Sequence, residues 1–591
     1  MTDRQQQPAE LPVASRVSRR GFLAAGGVAV AGASTWASAA EASTQASHAD
    51  PLNGEMRVAD IVVVGSGAAA TSAAITAAIE GAHVIQLEKA PITGGTSAKS
   101  GGGIWIPNNF WLKENGIDDP RTPFLAYCAQ YSFPHLFDAA SPTFGLDRNS
   151  FELIAAFYDN ASPMLDWLTK NGALKMGKGI GLPDFYDYGV LDGWNRVPRG
   201  RGLFPRRDDG QTGFGAELMR RMTERAAALG VETLTEHEVL GLQADASGAV
   251  RGVDVRSPGG TMRFGARRGV IFGTGGFTYN RALLNLHMKE PVFGGCGVPT
   301  NTGDFVGMAG AVGAKFGNMA SAWRSQIVLE EALQYVTVPS PMWIPPGDSM
   351  IMVNRHGHRF VNEKRNYHDR SRAQLAYDAN VPEFPNQIAF VIYDQRNAEL
   401  YAGSHPFPND PTGSDYVIKA EDWPSLVAAI AARLKELGSA TGGISLAPDF
   451  GQVLETTVSR FNGFAQTGLD SDFGRGSFPY DIETAGSYAA RQPVARWKDT
   501  VGPNPALYPI AGEGPYYAII VGPGTLDTNG GPVIDKHARV LRHDGTPIDG
   551  LYGAGNCIAS PSHDAYYAAG VTLGLGLTFG FIAARHAMGR G

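Results

Sequence analysis

Ile61-Val62-Val63-Val64-Gly65-Ser66-Gly67-Ala68-Ala69-Ala70 opens the stretch that decides the fold, and Val84-Ile85-Gln86-Leu87-Glu88 closes it. An apolar run, a glycine turn, a small-residue helical segment and a second apolar run spell a βαβ unit. Gly65 allows the tight turn, Gly67 lets the backbone approach a pyrophosphate, and Ala70 lets helix and strand pack closely. Ala68 and Ala69 open the helix, whose free N–H groups and dipole favour a diphosphate. Glu88, 23 residues past Gly65, stands where an acid accepts from a ribose hydroxyl. The unit is therefore read as a dinucleotide site.

The unit does not stop at Glu88. Lys89-Ala90-Pro91 and then Gly94-Gly95-Thr96-Ser97-Ala98-Lys99-Ser100-Gly101-Gly102-Gly103 follow at once. An NAD domain has no need of a second glycine-rich loop here. A flavin does, because its ribityl chain and ring extend past the pyrophosphate, and only small residues let backbone amides come that close. Lys89, Gly95, Thr96, Ser97, Ser100, Gly101 and Gly102 are accordingly candidate FAD contacts.

Two distant segments agree. Gly269 to Phe277 reads as a buried strand entering a turn at Gly273-Thr274-Gly275-Gly276, and Gly550 to Asn556 reads likewise, turning at Gly555-Asn556. A glycine-rich helix from about Val571 to Met588 follows, with Thr572 and Leu573 in its first turn. Glu236-His237-Glu238-Val239 precedes an alternating stretch and is expected at the adenine edge. The expected fold is α/β: a split Rossmann-like FAD-binding domain with an inserted substrate-capping domain. Its parts are placed at 51–325 and 514–591, with the cap at 326–513. Ala216 to Leu229 and Leu426 to Leu437 are read as amphipathic helices.

The chain has 591 residues, more than one hydrophobic core holds. A composition of 43% hydrophobic and 18% charged residues fits a soluble enzyme. A net charge of −7 argues against nucleic acid as a partner. Ser18-Arg19-Arg20-Gly21-Phe22-Leu23, a weakly apolar run and Ala37-Ser38-Ala39 read as a twin-arginine signal over residues 1–39, predicting export of the folded protein. That run is too short for a membrane span. Cys128, Cys296 and Cys557 show neither metal-ligand spacing nor a disulfide framework, and no metal is expected.

Beyond these motifs the sequence resembles the fumarate reductase/succinate dehydrogenase flavoprotein superfamily, from about residue 58 to 588, and within it the 3-ketosteroid Δ1-dehydrogenases. Ser100-Gly101-Gly102-Gly103-Ile104-Trp105-Ile106-Pro107-Asn108-Asn109 resembles that subfamily's form of the flavin loop. No histidine lies between His83 and His135, where membrane-bound members tether FAD, so the resemblance implies a non-covalent cofactor.

Asn354-Arg355-His356-Gly357-His358-Arg359-Phe360-Val361-Asn362-Glu363 resembles the superfamily motif N-R-x-G-x-R-F-x-N-E. Soluble fumarate reductases carry a proton-donating arginine four residues on, where this chain has Tyr367. Their substrate histidine is replaced within Pro523 to Gly531 by Leu526-Asp527, and a further arginine within Ala565-Tyr566-Tyr567-Ala568. Arg365, Arg370 and Arg372 lie near but off register. The cationic partners a dicarboxylate needs are thus not where that family puts them.

The ketosteroid dehydrogenases use tyrosines instead. By resemblance, Tyr566 O–H and the Gly570 N–H hold a ketone oxygen. Tyr367 takes the proton α to it, as a phenolate or with its pKa lowered by Tyr188 and nearby dipoles. Tyr186 is the rival of Tyr188. The family's Y-P-G-P-G is Tyr566-Tyr567-Ala568-Ala569-Gly570 here, a departure that can reshape the carbonyl grip. His368 and His563, beside these positions, are read as structural. The implied partners are a hydrophobic ketone and an external electron acceptor. The implied activity is desaturation of a 3-ketosteroid or related cyclic ketone. An ene-reductase running in reverse and an electron-transfer subunit without turnover are the alternatives.

Overall fold

The structure is a computed structural model that describes residues 56–486 and 502–590, apart from 181, 183, 190 and 192. The signal read at 1–39 lies outside the described residues.

Strand β1 (Arg57–Val64) runs through the glycine turn into helix α1 (Ala68–Ile79), and β2 (Val84–Leu87) returns beside it. Ile61, Val62 and Val63 are fully buried, as continuous apolar strands of parallel sheets must be. Each such side chain contributes about 1.5–3 kcal/mol. β1 pairs in parallel with β2 on one side, Val64 opposite Leu87, and with β3 (Gly260–Phe272) on the other, Val64 opposite Phe272. The eight-stranded sheet is completed on the β3 side by a strand from the far end of the chain, Pro547–Gly553, parallel with Gly553 opposite Phe272. Chain segments some 490 residues apart thus share one sheet. Val64, Leu87, Phe272 and Gly553 end at one edge, the edge where α/β sheets bind ligands.

The last helix (Val571–Ala587) lies across α1. A Cβ on Gly580 would stand 2.2 Å from the Ala69 carbonyl oxygen, and Ser72 Oγ donates to Leu577 O at 2.8 Å. The glycines of this helix therefore act as a seam between two helices. The two amphipathic helices appear at Gly215–Ala228 and Trp423–Leu437.

A second, five-stranded antiparallel sheet forms the inserted unit. Strand β4 (Ala322–Val328) and β5 (Tyr516–Thr528) pair along their lengths, and β5 also pairs with Ala389–Asp394 and Val417–Ala420. Two of these strands bear on where the expected bounds fall. β4 straddles residue 326, and β5, assigned by the sequence to the FAD part, belongs to the cap sheet to Thr528. A buried apolar run reads alike in either sheet; antiparallel partners far away in sequence decide. Among the described residues no helix is long and apolar enough to cross a membrane, and no His/Cys/Asp/Glu group could hold a metal ion. All three cysteines are free and buried.

Candidate active site

A cavity of about 570 Å³ follows the strand edge. Gly65, with φ +99°, turns the chain beneath it, and a Cβ there would lie 2.6 Å from Gly273 O. Gly273 in turn presses on Ala70, 2.7 Å from its nitrogen for an added Cβ. The two turns can approach only because both are glycine. Helix α1 starts without a side-chain cap from Gly67, and Ala68 and Ala69 line the cavity. Such a turn with an uncapped helix start is the cradle for a pyrophosphate. Ala68 N donates to Ser97 Oγ at 3.0 Å, which fixes the second glycine loop over the first.

Gly65, Gly67, Ala68, Ala69, Glu88, Lys89, Gly95, Thr96, Ser97, Val239, Gly273, Thr274, Gly275, Gly555, Asn556, Thr572 and Leu573 all line this cavity. Glu88 is held by Ser66 Oγ at 2.6 Å and Ala90 N at 2.8 Å, leaving its carboxylate further accepting capacity. Lys89 Nζ bonds Asp304 and Thr302, both at 2.6 Å. Ser100, Gly101, Gly102 and Gly276 are not among the lining residues. Ser100 O accepts from Gly215 N at 2.9 Å and Gly102 N donates to Ser100 Oγ, so this part of the loop packs on the helix Gly215–Ala228. Gly276 N donates to Asp527 Oδ2 at 2.8 Å, behind the wall. Sequence reasoning missed Ser66, His237, Asn301, Asp304 and Asp527 in the lining.

Beyond Asn556 and Thr572 stands a knot of aromatic rings. Tyr367 opens a short helix (Tyr367–Arg372) capped by the Asn366 side chain, which accepts from Asp369 N at 2.9 Å. Its ring lies 5.2 Å from that of Tyr566 and 5.6 Å from that of Tyr188, while Tyr188 and Tyr566 stack at 5.9 Å. Tyr188 is brought there by its own N–H, which donates to Tyr567 O at 2.7 Å. Its neighbour Asp187 is anchored by Arg201 and by Trp105 Nε1 at 2.7 Å. Tyr186 instead lies under the Arg199 guanidinium, 3.7 Å from the ring centroid. Thr572 Oγ1 donates to the Tyr566 hydroxyl at 3.3 Å, linking the knot to the cavity wall. Gly570, at φ +92°, precedes the last helix; its carbonyl accepts from Trp105 N, and a Cβ would strike Gly103. Tyr480 (ring 5.4 Å from Tyr188) and Trp343 (4.8 Å from Tyr367) complete the knot, and neither was foreseen. Only their contacts mark them.

The expected lowering of the Tyr367 pKa is not found. Burial lifts Tyr188 and Tyr367 well above the usual phenol range, and the rings of Tyr188 and Tyr566 push Tyr367 further up. Burial raises Tyr566 too. All three stand protonated at neutral pH. His368 accepts at Nδ1 from Arg324 N at 3.1 Å, so the proton assigned to its ring lies on Nε2, facing Asp564 O at 2.9 Å. Burial lowers its pKa, and both nitrogens serve the backbone. His563 also titrates low through burial. The off-register arginines are engaged as well. Arg365 faces Asp481 at 3.6 Å, Arg372 faces Asp564 at 3.2 Å, and Arg370 bonds Gln326 Oε1 and the carbonyls of Arg365 and Met342, each at 2.6 Å.

The chain belongs to the family described as the FAD binding domain, which matches residues 60–573. It is an FAD-dependent oxidoreductase acting on CH–CH groups. It is 32% identical to the 4-oxocyclohexanecarboxylate 2-dehydrogenase of Sinomonas cyclohexanicum, over 90% of this chain and 93% of that one. It is 30% identical to the 3-oxosteroid 1-dehydrogenase of Mycolicibacterium smegmatis, over 89% and 96%. The solved 3-ketosteroid delta1-dehydrogenase of Sterolibacterium denitrificans, in complex with 1,4-androstadiene-3,17-dione, matches with a TM-score of 0.74 at 26% identity, over 91% of this chain and 100% of that one. The resemblance and fold class read from the sequence are borne out.

Proposed function

We propose that the protein desaturates a cyclic ketone, a 3-ketosteroid at C1–C2 or a smaller ring such as an oxocyclohexane, beside its carbonyl. The observation that carries this reading is the meeting of Tyr188, Tyr367 and Tyr566 at the end of the FAD cavity where Thr572 joins the two. Bound FAD supplies the hydride acceptor, N5, for the β carbon.

The chain supplies the rest. Burial keeps Tyr566 protonated, so its O–H donates to the ketone oxygen, and the Gly570 N–H at the start of a 17-residue helix adds a second donor. Polarising that oxygen acidifies the α carbon. With Tyr367 ionised, a form that burial makes scarce at neutral pH, the α C–H bond breaks, its electron pair forms the new double bond as hydride leaves the β carbon, and its proton goes to the Tyr367 phenolate oxygen. Tyr188 accepts a hydrogen bond from the Tyr367 hydroxyl between turnovers and holds the ring in line. The ene-reductase alternative lacks this support, since Arg365, Arg370 and Arg372 are engaged within the protein.

Anaerobic mixing of the holoenzyme with androst-4-ene-3,17-dione or 4-oxocyclohexanecarboxylate should bleach the flavin in at least one case, and which one responds assigns the ring class. The reading falls if neither bleaches it while fumarate reoxidises the reduced enzyme.

We also propose export through the twin-arginine route, on the motif at Ser18 to Leu23. Replacing Arg19 and Arg20 together by Lys should retain the enzyme in the cytoplasm. An unchanged exported fraction would overturn this.

A further inference from the structure

Asp527 is a charged residue of the cavity wall that the reaction above does not use, and its surroundings are built around that charge. It lies on β5, 1% exposed, and lines the cavity. Its Oδ2 accepts from Gly276 N at 2.8 Å, Asn301 Nδ2 at 2.7 Å and Asn556 Nδ2 at 3.2 Å. Its Oδ1 accepts from Thr278 Oγ1 and Thr528 N, both at 3.0 Å. Five donors converge on one carboxyl from four separate segments, and a protonated acid would have to displace one of them. The site therefore holds an anion. Among the described residues no lysine or arginine pairs with it. Burial alone works against the charge, lifting the pKa to about 6, so the group is ionised in neutral and alkaline solution.

Its position along the cavity is set by its partners. Asn556, one of its donors, accepts at Oδ1 from Trp323 Nε1 at 2.8 Å, and Trp323 stands edge-on to Tyr566 at 5.2 Å. Glu88 and Val239 mark the opposite, ribose-and-adenine end of the same cavity. Asp527 thus faces the end nearest the tyrosines, where a bound flavin's ring would sit if it is to take a hydride from a substrate held by Tyr566.

We infer that Asp527 is the fixed anion that holds the reduction potential of the bound FAD low. A buried carboxylate without a paired cation disfavours the added negative charge of a reduced flavin beside it. It thereby favours passing the electrons on to the external acceptor over storing them. The inference rests on FAD binding and on the reading that Tyr566 holds the substrate, but not on the choice of ketone.

Spectroelectrochemical titration of the holoenzyme at pH 8, with dye mediators and no ketone, tests it. Asp527→Asn, which keeps the shape and removes the charge, should shift the FAD midpoint potential upward, while Asp527→Glu should stay near the parent. Thr278→Val should shift it the opposite way, downward, because the hydroxyl dipole that partly screens the carboxylate is gone. An Asp527→Asn potential equal to or below the parent's overturns the inference. If that variant fails to retain FAD, a Thr278→Val potential that does not fall does the same. Because no ketone enters the cell, failure of the desaturase reading leaves the outcome readable.

Discussion

Tyr367 carries the sharpest expectation at the scale of single residues. Its hydroxyl is the only group assigned to take the α proton, and general base groups contribute about 10²–10⁴-fold. Tyr367→Phe should lower kcat by a factor in that range while FAD content and melting temperature stay at parent values; flavin bleaching at parental rate would remove Tyr367 from the reaction. The direction of its pKa adds a second expectation. Burial first, and the phenols of Tyr188 and Tyr566 next, raise it above the usual range. The unprotonated fraction therefore grows with every step of pH from neutral upward and is still growing near pH ~10, the ordinary tyrosine value. The rate constant for flavin bleaching should climb throughout pH 6 to about 10 without a plateau. A flat profile across that window would mean that another group takes the proton.

Among elements, the seam between the last helix and α1 shows what the glycines do. Gly580→Ala puts a methyl 2.2 Å from the Ala69 carbonyl, so the helices must part, at about 1–3 kcal/mol. Because Ala69 lines the cofactor cavity, FAD affinity should fall together with the melting temperature. Gly463 is the contrast. It sits in the helix Phe450–Thr467 with nothing within 4 Å of an added Cβ. Gly463→Ala should raise stability by about 0.5–1 kcal/mol. Equal melting shifts for the two variants would refute the distinction. The same contrast explains how much was legible in the sequence. Gly65, Gly67 and Gly273 announced themselves because a turn's chemistry is local and the motif spacing preserves it. Tyr480, Trp343 and Asp527 did not, because their roles arise from contacts between separate segments that no local motif marks. Asp527 stood out in the sequence only as a departure from a histidine motif. The sheet that β5 joins was not legible for the same reason, since nothing within Tyr516–Thr528 says which it is.

At the scale of the whole molecule, a buried ionic cluster ties distant segments around the second sheet together. Arg359 faces Glu363 and Asp470, both at 2.8 Å, and Arg475 faces Glu363 at 3.2 Å. Glu363 also accepts from Met352 N at 3.1 Å, pinning the cluster to the second sheet. This gives the motif from Asn354 to Glu363 an architectural role, one helix start upstream of Tyr367. Burial pushes the Glu363 carboxyl up, but Arg359 and Arg475 outweigh it and hold it at about 2, against an ordinary value of 4.5. A folded-state pKa below the unfolded one means that the unfolded chain binds the proton first as pH falls. The stabilisation is complete above about pH 4.5 and is lost progressively as the pH drops toward 2. Glu363→Gln removes the carboxylate that both buried guanidinium groups share and should cost about 3–5 kcal/mol at pH 7. Thermal melts of parent and variant from pH 7 downward should therefore converge in acid, because protonation removes from the parent what the substitution has already removed. A melting difference that is absent at pH 7, or that persists undiminished at the acid end, would show that the cluster does not hold these segments together.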